Sequence, residues 1–103
     1  MNTMNAILED RELRTLLTTE QLHLLVKVRE HALRMPCRTI NDSLAMTAAN
    51  LLPLFLKERG MKWMKGEVER IISLLAHNPY DEIPLALEKD SIRKAAHEFL
   101  QSF

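Results

Sequence analysis

Lys57, Arg59, Lys62 and Lys65 place four cations within a short stretch around Trp63, with Glu58 the one acid among them. A local excess of positive charge beside an aromatic ring can grip phosphates and stack a base, so this segment is the candidate nucleic-acid site. The region before it, a capped helix, a turn and then Ser43 to Arg59, has about the length of a helix-turn-helix. Its internal pattern fits that motif poorly: with Ala45 as the small residue of the first helix, Asn50 stands where the turn needs an apolar side chain. The plainer reading is a solvated basic helix face with Trp63 packed on a neighbour. The 14 basic and 14 acidic residues of the whole chain cancel. With no global positive field to draw in a polyanion, any nucleic acid would be held by this patch alone.

The other chemistry-bearing residues are scattered. A zinc site needs three or four ligands brought together, and no two of His23, His31, His77 and His97 have the i, i+4 spacing that would align them on a helix. His97-Glu98 begins like a zinc-protease helix, but Gln101 occupies the position of the second histidine. Cys37 is the single cysteine. It excludes an intramolecular disulfide, and it reads as a small apolar residue or, paired with His31 across the Pro36 turn, as a reactive thiol. Nucleophilic catalysis also needs an oxyanion hole, which glycine-rich turns commonly supply, and the chain has only Gly60 and Gly66. The pairs Glu9-Asp10 and Asp81-Glu82 are adjacent residues that do not converge on one bond. The expectation is a protein that is not an enzyme, with no metal, no cofactor and no small-molecule substrate.

The elements that carry these residues read as helices throughout. Met61, Met64, Val68, Ile71 and Leu75 recur at spacings of 3, 4, 3 and 4, the heptad rhythm of a helix packed on another helix. So strict a stripe is narrower than a core-facing helix normally shows, and it makes these five residues the candidate partner-binding seam, joining two copies of the chain, with closure of the core as the alternative. Methionine suits adaptable packing surfaces, which singles out Met61 and Met64 as residues able to accept a partner helix.

Upstream, helix formers run from Asn5 to Leu17 without a clean apolar face. Thr18 or Thr19 caps a second, central helix, with Gln21 three residues after Thr18 as a capping box; this helix carries Leu22, Leu25, Val26, Arg29, Ala32 and Leu33 at helical spacing and ends at Pro36. Leu44, Ala48, Leu51, Leu52 and Phe55 mark a third helix, in which Pro53 either makes a kink or lies in the first turn of a new helix capped by Asn50. Gly60 suits a left-handed stop. The seam helix then runs from Met61 to Ala76, and Asn78-Pro79 ends it. The stretch from Tyr80 to Pro84 reads as a connector. Asp90 caps a last helix with Ile92, Ala95, Ala96, Phe99 and Phe103 on one face.

At 103 residues and 47% hydrophobic, with two Gly and four Pro, the chain has the composition of one all-α domain. The expected fold is a compact bundle of four to five helices over residues 1–103, with one helix able to join two copies. The longest uncharged stretch, Ser43 to Leu56, is interrupted by Thr47, Asn50 and Pro53 and is too short to span a bilayer. The opening Met1-Asn2-Thr3-Met4 is unlike a secretory signal. A cytoplasmic location without membrane contact is therefore expected. The runs Ile71-Ile72-Ser73-Leu74-Leu75 and Ser91-Ile92-Arg93-Lys94-Ala95 resemble stretches of the small helical bacterial biofilm and acid-resistance regulators, and the resemblance assigns no site residue. Taken together, the residues point to a homodimeric regulatory or adaptor protein acting through protein–protein contact. The alternative is a DNA-binding transcriptional regulator using Lys57 to Lys65.

Overall fold

A computed structural model describes residues 3–76 and 78–103, and every regular element among them is helical. In chain order these are α1 (Thr3–Leu8), α2 (Arg11–Leu16), α3 (Thr19–Arg34), α4 (Ile40–Arg59), α5 (Met61–Leu74) and α6 (Ile83–Gln101). The four long helices form the body, α3 packing on α4 and α6, and α5 on α4 and α6. The short helices α1 and α2 close against α3, and α2 also touches α4. The all-α expectation holds, with six helical segments in place of four to five.

The extra segment comes from Asp10. A continuous helix from Asn5 to Leu17 would spread Ile7, Leu13 and Leu17 over about 120° of its circumference. Asp10 leaves the helical region for an extended backbone conformation, and its side chain accepts a hydrogen bond from the Leu13 amide at 3.0 Å, capping α2. With this break in place, all three apolar side chains reach the core.

α3 begins at the predicted capping box. Thr18 Oγ1 accepts from the Gln21 amide, and Gln21 Oε1 accepts from the Thr18 amide. Gln21 also donates from Nε2 to the Ser102 carbonyl at 2.9 Å, so the start of α3 lies beside the end of α6. His31 meets Glu88 further along, so these two helices run antiparallel. Leu22, Leu25, Val26, Val28 and Ala32 are buried, whereas Leu33, expected on the same face, is exposed.

α4 is one helix through Pro53. Asn50 does not start a new helix there; its Oδ1 accepts a 2.7 Å hydrogen bond from Arg29 Nη2 of α3. Ala45, Ala48, Ala49, Leu52 and Leu56 form its buried face. Against expectation, Leu44 lies outside that face and is exposed. Gly60 then ends α4 and starts α5 without a loop, at φ 92° and ψ 175°. This is a glycine-only extended conformation in place of the left-handed stop predicted.

α6 starts well before Asp90, because Pro84 sits in the first turn where its missing amide costs nothing. Asp90 is therefore inside the helix, exposed, and paired with Arg93. Leu85, Ile92, Ala95, Ala96 and Phe99 are buried, while Phe103 is partly exposed and packs edge-on against Phe99 with ring centroids 5.2 Å apart. None of the described helices is long and apolar enough to cross a membrane.

Candidate functional site

The seam of α5 settles inside the chain's own core. Met64, Val68, Ile71 and Leu75 are each 0% exposed, and Met61 is half-buried. Full burial of side chains of this size stabilises the fold by about 1.5–3 kcal/mol each. Of the two uses the heptad spacing allowed, core closure is the one that burial accounts for. In this arrangement a partner could reach Met64, Val68, Ile71 and Leu75 only by prising α5 from α4 and α6.

The basic segment is divided by the fold. Lys57, on the last turns of α4, forms an ion pair with Asp10, the cap of α2. The hydrogen bond from Lys57, aided by the Leu13 amide, holds the Asp10 carboxyl below its ordinary range, and the same contact raises Lys57. Lys57 thus ties α2 to α4 and leaves the patch. Arg59 and Trp63 face one another across the Gly60 elbow, the guanidinium carbon 5.3 Å from the ring centroid. Lys65 reaches the ring of Phe103, with Nζ 5.0 Å from its centroid. Lys62 is exposed, and Trp63 is 52% exposed instead of packed on a neighbour.

At the opposite end of α4 lies a cluster of charges that the sequence reading did not single out. Asp42 of α4 and Lys89 of α6 are buried, and the Asp81 side chain, from the connector between α5 and α6, is almost as well covered. Lys89 Nζ donates to Asp81 Oδ2 at 2.9 Å and stands 3.1 Å from Asp42 Oδ1. The second contact pairs charges without the alignment of a hydrogen bond, which leaves Asp42 Oδ1 otherwise unpartnered among the described residues. Asp42 Oδ2 accepts from the amides of Arg38 and Thr39 at 2.9 and 3.2 Å, and Thr39 Oγ1 returns a cap to the Asp42 amide.

Burial pushes the Asp42 carboxyl upward. The two amides and the ammonium outweigh it, and the group lies below its ordinary pKa. Lys89 shows the mirror case: burial pulls it down, and the two carboxylates bring it above the ordinary lysine value. Each charge in the cluster is set against an opposite one, so the arrangement binds the start of α4, α6 and the connector together. The signal in the sequence was Lys89 itself, which falls on the apolar face of Leu85, Ile92, Ala96 and Phe99 at helical spacing. A lysine in such a row must find a carboxylate or lie exposed.

The remaining candidates do not converge. Cys37 is exposed, with Sγ 3.9 Å from the Met35 carbonyl and 3.8 Å from Met46 Sδ, and it forms no hydrogen bond with His31. His31 Nδ1 instead lies 3.0 Å from Glu88 Oε1 and 2.9 Å from Arg34 Nη2. His23 and His97 are exposed, and His77 lies outside the described residues. No group of three metal-ligating side chains is found among the described residues.

Apolar exposure is concentrated at the Asp42 end. Of the ten large hydrophobic side chains exposed among the described residues, six stand there: Leu33 at the end of α3, Ile40 and Leu44 at the start of α4, Tyr80 in the connector, and Ile83 and Leu87 at the start of α6. An open cleft beside them is lined by Arg38, Thr39, Asn78, Tyr80, Asp81, Glu82 and Leu85. No protein-family model, curated protein or solved structure matches this chain.

Proposed function

We propose that this chain is a cytoplasmic regulatory or adaptor protein that acts by protein–protein contact, as a homodimer, through the end where α3 finishes and α4 and α6 begin. The observation that carries the reading is the exposure there of Ile40 at 79%, Ile83 at 77% and Leu87 at 61%. Isolated exposed hydrophobics are ordinary, but a concentration of them at one end of a small domain marks an interaction surface. Ile40 with Leu44 and Ile83 with Leu87 are each one helical turn apart, so each helix presents a short apolar ridge. Arg38 and Glu82 flank the same cleft with opposite charges. A two-fold partner would bring each against its complement, the requirement of an isologous contact. The cluster of Asp42, Lys89 and Asp81 underneath holds the ridges and the connector in one register.

Two substitutions separate this surface from the α5 seam. Ile83→Ser with Leu87→Ser changes exposed positions, so helix content is retained while the mass by light scattering falls to that of one chain. Val68→Asp buries an unpaired carboxylate in the core and unfolds the chain instead of releasing a folded monomer. A folded, monomeric Val68→Asp protein would return the interface to the seam. An unchanged mass in the α6 double variant would remove the proposed surface.

A further inference from the structure

The elbow between α4 and α5 carries a second surface, with different chemistry. Successive residues turn by about 100° around a helix. With Met64 pointing into the core, Trp63 and Lys65 therefore occupy the two flanks of α5, and Lys62 stands outward between them. Each flank is a cation set against an exposed aromatic ring: Arg59 over Trp63, and Lys65 over Phe103. Among the described residues, none of Arg59, Lys62 and Lys65 has a carboxylate within ion-pairing distance, unlike Arg34, Lys57, Arg70, Lys89 and Arg93. Three cations without counter-charges, Arg59 from the end of α4 and Lys62 and Lys65 from α5, interleaved with two rings, complement an anionic chain that carries flat apolar groups at intervals.

The geometry points to single-stranded nucleic acid as the occupant of this face, with its phosphates on Arg59, Lys62 and Lys65 and an unpaired base on the open side of Trp63. A duplex fits less well, because its bases are already stacked and the rings would have nothing to receive. An anionic membrane fits less well too. Beyond the two rings, α5 offers no large exposed hydrophobic side chain to bury in lipid. The net charge of zero does not oppose the assignment, since the contact is local and short-ranged.

Trp63 is the single tryptophan and therefore its own probe. The purified chain is titrated at low salt with deoxythymidine and uridine oligomers of about 12 nucleotides, a length within the range such surfaces cover. Stacking quenches Trp63 emission, and three phosphate contacts give a log–log salt slope of about −2. Lys62→Glu with Lys65→Glu raises the dissociation constant at least about tenfold with helix content retained, because Lys62 is exposed and Lys65 meets the partly exposed ring of Phe103 at the surface. By anisotropy of a labelled oligomer, Trp63→Ala weakens binding by about fivefold or more. The two oligomers bind alike if phosphate and base carry the contact, and the ribose oligomer binds more tightly if a 2′-hydroxyl is also read.

Four results would overturn the assignment. They are no quenching together with no anisotropy change; equal affinity in the charge-reversed variant; binding of a duplex with Trp63 emission unaltered; or a blue shift with anionic vesicles and no response to either oligomer.

Discussion

The two ends of α4 set lysines in opposite circumstances, and the contrast shows what burial does to a charge. At the start of the helix Lys89 is enclosed between Asp42 and Asp81 and holds three segments together. At the far end, just past the Gly60 elbow, Lys62 and Lys65 are without carboxylates among the described residues, one free in solvent and one over an aromatic ring. A buried ammonium has exchanged water for specific partners, so its removal leaves them stranded. A solvated one keeps its charge available to whatever arrives. Lys57 falls between these cases: near the basic segment in sequence, it is drawn off by Asp10 into holding α2 on α4.

The largest test of the contrast is removal of the buried cation. Lys89→Ala strands the Asp42 and Asp81 carboxylates and lowers stability by about 3–5 kcal/mol in urea unfolding, while Lys62→Ala changes it by less than about 0.5 kcal/mol. The pH dependence has a definite sign. Because Asp42 is held below its ordinary pKa, its contribution is complete above the unfolded carboxylate value of about 3.9 and is lost as pH falls through the lower folded value. Because Lys89 is held above its ordinary value, its contribution is complete below about 10.4 and is lost as pH rises through the folded value. The cluster thus stabilises the native chain across the neutral range. Lys89→Ala should remove the alkaline loss due to this lysine and move the acid loss due to Asp42 upward. Equal destabilisation by Lys89→Ala and Lys62→Ala would erase the distinction between the two ends.

Next in size is the elbow itself. Gly60, with its positive φ, occupies a region that other residues enter at a cost of about 1–3 kcal/mol, and a Cβ placed there would meet no neighbour. Gly60→Ala should therefore be destabilised by that amount through backbone strain alone. It should also disturb the approach of Arg59 to Trp63, altering tryptophan emission before any ligand is added. A substitution that leaves both melting and emission unchanged would show that the elbow is not held in this conformation.

Local chemistry was legible in the sequence; partnership across the fold was not. The Thr18–Gln21 box, the stop at Pro36 and the break at Gly60 each depend on a few neighbouring residues, and each occurs where the residue types demand it. The seam of α5 was visible as apolar periodicity. Whether a stripe meets its own chain or another depends on how many helices surround it, and spacing carries no such information. Asp10 escaped notice as a cap because helix formers flank it on both sides. Asp90 drew attention as a cap, although the helix had already been started by Pro84. Of the basic segment, the cations were plain. The loss of Lys57 to Asp10 and the arrival of Phe103 beside Lys65 join residues far apart in the chain, beyond the reach of any local pattern.

The smallest expected effect sharpens the comparison at the exposed end. Gly66 lies within α5 about one turn beyond Lys62, facing outward, and a Cβ at this position meets no atom within 4 Å. Glycine inside a helix costs about 0.5–1 kcal/mol relative to alanine, mainly in unfolded-chain entropy. With no steric obstacle and no positive φ, Gly66→Ala should be more stable by that amount. A gain of this size raises the melting temperature of a domain near 100 residues by roughly 2–8 °C. If an oligonucleotide lies close along the Lys62 face, the added methyl group should weaken its binding while the fold gains stability, so the two measurements move in opposite directions. A stabilised variant with unaltered affinity would place the bound strand over the Trp63 and Lys65 flanks, clear of the helix surface between them.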